Sequence, residues 1–316
     1  VPKLGCATRT IVFSLVIILA LFVVGFFFGP LGASFLGIKA PSFLAVPKPQ
    51  VELPSGVLSN VAGFPITNTL LASWLTVIVL AIVFYVCTRR MKLIPGRLQN
   101  LAEMAVETLL NFVESAAGKR HARLLFPVVA TIFIYVLTNA YLALLPFFGT
   151  IVVTGQEGTA VPLLRAANTD INVPLSIAVM SFIFVEFWGM KSLGAFRYVG
   201  EFLNFGQLGR GVKELFTGKI RPAIANIAFG FINLFVGMLE VFSHVIRIIS
   251  FTFRLFGNMT AGEILLLISA FLIPLIFTIP FYGLELLIGF IQALIFAGLT
   301  LVFGIIAVAP MHEETE

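Results

Sequence analysis

Ser250-Phe-Thr-Phe-Arg254-Leu-Phe-Gly-Asn258-Met-Thr-Ala-Gly-Glu263 sets an arginine inside a long apolar run, with a carboxamide four residues on and a carboxylate nine residues on. The flanks, Val245–Ile249 and Ile264–Leu267, are apolar apart from Arg247. Arginine keeps its charge at any biological pH, its pKa lying above about 12. Placing that charge at bilayer depth costs roughly 2.5–3.5 kcal/mol on insertion scales. Arg254 stands too far from either end of its segment to snorkel to the interface. The arginine is therefore the first candidate functional residue, ahead of a merely structural ion pair.

The rest of the chain sets that arginine in a membrane. Of 316 residues, 59% are hydrophobic and 11% charged, and the mean hydropathy is +1.06. Continuous apolar runs of about 20 residues read as membrane helices, whereas a β-barrel would show short alternating segments. The predicted spans are Ile11–Phe28, Leu70–Cys87, Phe126–Phe148, Pro174–Met190, about Pro222–Ile273 and Tyr282–Ala309. Leu98–Ala117 interleaves apolar residues with Glu103, Glu107 and Glu114, the pattern of an amphipathic helix. The fold class is thus an all-α polytopic membrane protein of about five to six membrane helices plus one amphipathic helix. Ile11–Phe28 follows Lys3 and Arg9 and precedes the small residues Gly32-Ala-Ser34. It reads either as a retained span or as a cleaved signal-like segment, with retention as the working expectation.

The run from Pro222 to about Ile273 is some 50 residues, about 75 Å as one helix. A hydrocarbon core is about 30 Å thick, so the segment must be broken, bent or strongly tilted. Pro274 and Pro280 bracket the turn into the last segment. Three regions follow: residues 1–66, an N-terminal apolar segment and external connector; 67–309, a single membrane domain whose hairpin occupies about 222–309; and 310–316, a polar cytoplasmic tail.

Basic residues orient these spans. Lys3, Arg9, Arg89, Arg90, Lys92, Arg97, Lys119, Arg120, Arg123, Lys191, Arg197, Arg210, Lys213, Lys219 and Arg221 fall on one side and only Lys39, Lys48 and Arg165 on the other. With Arg247 and Arg254 inside a span, these fifteen, three and two account for all 20 Lys and Arg. The bias puts both termini in the cytoplasm. It also explains the net charge of +5 without nucleic acid as a partner. Cys6 and Cys87 are far apart near the same face and are expected to be unpaired, and the three histidines form no metal-ligand pattern.

At 100° per residue, Glu240, Ser243, Arg247, Ser250 and Asn258 lie within roughly 40° of Arg254. Such a face in lipid must look at protein or water. A polar seam between two helices would explain the serines but not two arginines and a glutamate. Glu263 lies on the opposite side of the wheel, so it is not a simple counter-charge to Arg254 unless the helix is irregular near Gly257 and Gly262. Glu285 and Gln292 share a face of the last helix, which the hairpin returns towards Glu263. Two polar patches result, with Arg254 between them: Glu240, Ser243, Arg247 and Ser250 on the cytoplasmic side, and Asn258, Glu263, Glu285 and Gln292 on the external side. Carboxylates and amides linked by water, interrupted by a fixed positive charge, are what a proton path needs. Glu186 is buried in its span as either a paired core carboxylate or a channel group. The chain has no phosphate-binding glycine loop and no nucleophile–base pair, so chemistry on a bound substrate, and a cofactor, are not expected.

Phe253-Arg-Leu-Phe-Gly-Asn-Met-Thr-Ala-Gly-Glu263 resembles the signature of the subunit a family of the F-type ATP synthases. Ile291-Gln-Ala-Leu-Ile-Phe296, Thr169-Asp-Ile-Asn-Val-Pro174 and Leu142–Pro146 resemble further stretches of that family, and the likeness spans about residues 60 to 309. The resemblance implies a proton-translocating stator subunit in the bilayer, beside a ring of c subunits and held by peripheral-stalk b subunits, in a bacterial cytoplasmic (inner) membrane. It implies that the last two helices run strongly tilted along the ring. Arg254 takes the place of the family's essential arginine, between two aqueous half-channels. Glu285 stands where some members have histidine, and Arg247 where some have lysine. The competing reading is a self-contained proton-coupled secondary transporter, whose paired inverted repeats are not visible here. A structural scaffold would not need the cost of the buried Arg254, Glu263 and Glu285.

Overall fold

A computed structural model describes residues 6–37, 48, 54–61, 63–92, 94–155, 160–194, 209–210, 213–214 and 220–308. The polar tail, most of the connector and most of residues 195–219, between the fourth and fifth predicted spans, lie outside the described residues. The helices are α1 (Cys6–Phe28), α2 (Pro30–Leu36), α3 (Asn68–Thr88), α4 (Arg97–Ala143), α5 (Asn172–Leu193), α6 (Ile220–Leu272) and α7 (Ile279–Val308). Among the described residues, six helices are long and apolar enough to cross a membrane: α1, α3, α4, α5, α6 and α7. The all-α polytopic class is what the apolar runs predict. Large apolar side chains such as Ile78, Ile82, Phe231, Phe235 and Leu287 are exposed on these helices. Such a surface is stable against lipid tails and not against water.

Two details depart from the sequence segmentation. The amphipathic helix and the span after it form one element, α4, broken at Gly118 (φ 71°, ψ 156°). That backbone conformation is one a side chain with a Cβ rarely adopts, so glycine marks the kink between the two helices, just before the basic turn Lys119-Arg120-His121-Ala122-Arg123. Two short antiparallel strand pairs lie between the predicted spans: β1 (Val57–Val61) with β2 (Phe64–Thr67), at the end of the connector, and β3 (Val152–Thr154) with β4 (Ala160–Pro162). The second leads through a 3-10 turn at Ala167–Thr169 into α5.

Local chemistry sets several helix ends. Thr67 Oγ1 accepts the backbone N–H of Leu70 at 3.2 Å, capping the start of α3. Pro222 lies in the first turn of α6, where a missing N–H costs no helical bond. Within its bounds α6 is continuous over 53 residues, about 80 Å at 1.5 Å per residue. Of the three ways to fit so long a segment, a break is therefore excluded, which leaves bending or tilt.

The chain divides into two compact units. The first holds Val1–Thr76, Leu137–Asp170 and Phe256–Gln292; the second holds Val77–Val136, Ile171–Leu255 and Ala293–Glu316. In the first unit, Phe22 of α1 packs on Phe277 in the α6–α7 turn, with ring centroids 6.2 Å apart. Buried polar pairs tie its segments. Thr69 Oγ1 donates to Asp170 at 2.9 Å, Asn139 donates to Thr76 Oγ1 at 3.2 Å, and Asn68 donates to the carbonyl of Pro162 at 3.1 Å. Asp170 thus gives the Thr169–Pro174 stretch a structural partner. The second unit has a core of Val113, Leu125, Val129, Val136, Leu255, Phe296 and Leu301. Ser181 and Thr300 share a buried hydrogen bond of 2.8 Å, linking α5 to α7.

Candidate functional site

In the second unit, α6 carries Arg254, a half-buried residue. It donates to Ser250 Oγ at 3.5 Å, a long bond, and lies 5.9 Å from the ring centroid of Phe251. Among the described residues no carboxylate lies within ion-pair distance of it. Phe251 is buried beneath, 4.7 Å from Phe296 and 6.1 Å from Phe303 between ring centroids, and these contacts fix the helix face on which Arg254 is presented. One face up, Arg247 stacks its guanidinium 3.5 Å from the centroid of the Phe303 ring, a cation–π contact. Glu240, Ser243 and Ser250 are exposed, so the predicted stripe is an outward face of α6, with Arg247 at its packed edge.

Glu186 resolves into the paired alternative. Its carboxylate lies 2.8 Å from His244 Nδ1, and the His244 ring makes an edge contact with Phe182. Sequence reading missed His244. It follows Glu240 by one helical turn, so a histidine within a span was the available signal.

The first unit holds the other predicted set. Asn258 Nδ2 donates to Gln292 Oε1 at 2.8 Å, joining α6 to α7. Gln292 is buried and Asn258 exposed. Glu285 is buried against Gly262, and a Cβ at that glycine would occupy the space of the Glu285 carboxylate. Glu263 and Glu285 line one cavity of about 150 Å³ together with Tyr282 and Arg165. That is room for several waters, with these four polar side chains set in an otherwise apolar lining.

The cavity contains a residue that sequence reading did not assign. Arg165, between β4 and α5, donates from Nε to both oxygens of Glu263 at 3.1 Å, and its Nη2 lies 3.1 Å from Glu263 Oε2. A third arm, Nη1, donates to the carbonyl of Pro54 at 3.2 Å. No periodicity could have linked two residues 98 apart, and the only trace was a basic residue on the side poor in them. The structure therefore brings together Asn258 with Gln292, Glu263 with Glu285, and Ser250 with Arg254. It leaves Glu240 and Ser243 without a side-chain hydrogen bond among the described residues. A cavity edged by two carboxylates, with room for water, can pass protons. A half-buried arginine without a counter-charge can hold a carboxylate brought to it.

The family model described as ATP synthase A chain matches residues 70–304. "ATP synthase subunit a" of Mesorhizobium japonicum is 30% identical over 271 residues, covering 80% of this chain and 92% of that one. The protein of the same name from Campylobacter jejuni subsp. doylei is 29% identical over 230 residues, covering 72% and 84%. That of Aliarcobacter butzleri is 26% identical over 241 residues, covering 75% and 89%.

Proposed function

This chain belongs to the ATP synthase A chain family, and we propose that Arg254 is the fixed charge through which it couples proton flow to rotation. As a member it is a proton-translocating stator subunit, integral to the membrane and part of the ATP synthase complex. The observation that carries the proposal is Arg254 itself: half-buried on a membrane helix, braced by Phe251, and without a carboxylate partner among the described residues. A charge kept at such cost is accounted for if its partner arrives on another subunit.

In this reading the partner is an ionised carboxylate on each member of a c-subunit ring, moving past the outward face of α6. Attraction to Arg254 favours the ionised form and so releases the proton that the carboxylate carried. The guanidinium also bars a bare proton from passing directly between the two polar patches, since it repels positive charge and cannot itself be deprotonated. A proton then crosses only by riding the ring. One charge moved through 100 mV is worth about 2.3 kcal/mol, which is the work available for torque.

Asn258, Glu263, Glu285 and Gln292 form the external half-channel, with the 150 Å³ cavity as its wide part. Glu240, Ser243, Arg247 and Ser250 line the cytoplasmic half-channel on α6. The long hairpin of α6 and α7 lies tilted along the ring, and b subunits of the peripheral stalk hold the chain against torque. The basic bias assigns both termini to the cytoplasm, in a bacterial inner membrane.

The test is Arg254→Ala in the assembled, reconstituted complex, with ATP synthesis and ATP-driven proton pumping both measured. Loss of both with assembly intact is the expected result. Retained coupling would make Arg254 structural and remove the basis of the proposal.

A further inference from the structure

Glu263 and Glu285 face one cavity, and only one of them carries a guanidinium. Two carboxylates around a cavity of this size would attract divalent cations as well as protons, because such cations, Zn²⁺ included, bind several ligands at once and accept carboxylate oxygens among them. A proton needs only one oxygen. Arg165 covers both oxygens of Glu263 at once. Its fork is itself anchored to the Pro54 carbonyl, and its side chain is 10% exposed against 30% for Glu263. It is thus the more buried and doubly anchored partner, and both it and Glu263 line the cavity.

We propose that Arg165 is a selectivity clamp: by holding Glu263 it leaves the cavity with one unclamped carboxylate, Glu285, so that protons enter and divalent cations do not lodge. The inference rests on the reading of this cavity as part of the external half-channel. Arg165 acts through Glu263 and is a positioning residue. Planarity matters, because a guanidinium can bridge two oxygens and an ammonium acts as a point charge. The clamp also accounts for a basic residue on the side of the chain that is otherwise poor in them.

The test uses purified whole complexes carrying wild-type chain, Arg165→Gln or Arg165→Lys. Equilibrium binding of Zn²⁺ is measured directly, together with Zn²⁺ inhibition of ATP synthesis in vesicles. Arg165→Gln is expected to bind one more Zn²⁺ per complex than wild type. It should also be inhibited at a Zn²⁺ concentration about tenfold lower, the order of effect of freeing one charged ligand. Adding Glu263→Gln to Arg165→Gln should abolish the extra site. Arg165→Lys should be intermediate, and it decides the matter if Arg165→Gln does not assemble. Unchanged Zn²⁺ binding in the variants that assemble overturns the clamp. Glu285→Gln tests the underlying reading separately: wild-type ATP synthesis in that variant would take the cavity out of the proton path, whatever Arg165 does.

Discussion

Asn258 on α6 donates its amide N–H to the Gln292 carbonyl oxygen on α7 at 2.8 Å, and the two ends of this bond differ in exposure. Gln292 is 2% exposed, whereas Asn258 is open on one side. The consequences of breaking the bond are therefore unequal. Asn258→Leu leaves a buried carboxamide oxygen without its donor and should cost about 1–3 kcal/mol. Gln292→Leu replaces the buried amide by an apolar group of similar size and leaves only an exposed one, at a cost of about 1 kcal/mol or less. Thermal unfolding of the purified complex distinguishes the two. Equal destabilisation would mean that the bond does not hold the hairpin.

Arg254→Lys keeps a positive charge on the same helix face but loses the rigid planar fork, and lysine sheds its proton when desolvated. ATP synthesis should fall at least about 100-fold, equivalent to about 2.7 kcal/mol of coupling. The measurement is synthesis driven by an imposed proton gradient in vesicles, normalised to assembled complex. Near-normal rates would mean that charge alone suffices.

Glu186 and His244 form a pair that is mostly shielded, with side-chain exposures of 15% and 16%. Removing either partner breaks this mostly shielded contact, so Glu186→Leu and His244→Phe should each destabilise the chain by about 1–3 kcal/mol. The double variant should cost less than the sum, by about 0.5–3 kcal/mol, because the shared contact is lost only once. Additive losses in a double-mutant cycle of thermal stability would show that the pair contributes no interaction of its own.

Gly262 has no room for a side chain, because Glu285 fills the space where a Cβ would stand. Gly262→Ala should displace the Glu285 carboxylate and cut ATP-driven proton pumping about tenfold or more, a barrier change of about 1.4 kcal/mol. Gly283 on α7 faces open space, and Gly283→Ala should pump normally. Equal activity in the two alanine variants would sink the claim that Glu285 must sit at the cavity.

The membrane class, the spans and the exceptional arginine were legible because each rests on local signals. Continuous apolar runs, the proline pair at 274 and 280, and the basic flank Arg89-Arg90 act on the chain near themselves. The helical wheel grouped Glu240, Ser243, Arg247 and Ser250 with Arg254 because a helix repeats regularly. Glu186 was visible as a buried carboxylate, but its partner was not, since His244 lies on a different helix. The β1–β2 and β3–β4 hairpins went unread because their strands are three to five residues long, too short for alternation to stand out.

By itself, then, the sequence determined a bundle of membrane helices carrying one costly arginine on a polar stripe, because hydrophobic partition and helical period act along the chain. Only the tertiary structure decided which polar group answers which. Ion pairs and hydrogen bonds reach about 3 Å, so Arg165 with Glu263, Asn258 with Gln292, and Glu186 with His244 exist only once segments 98, 34 and 58 residues apart are folded together.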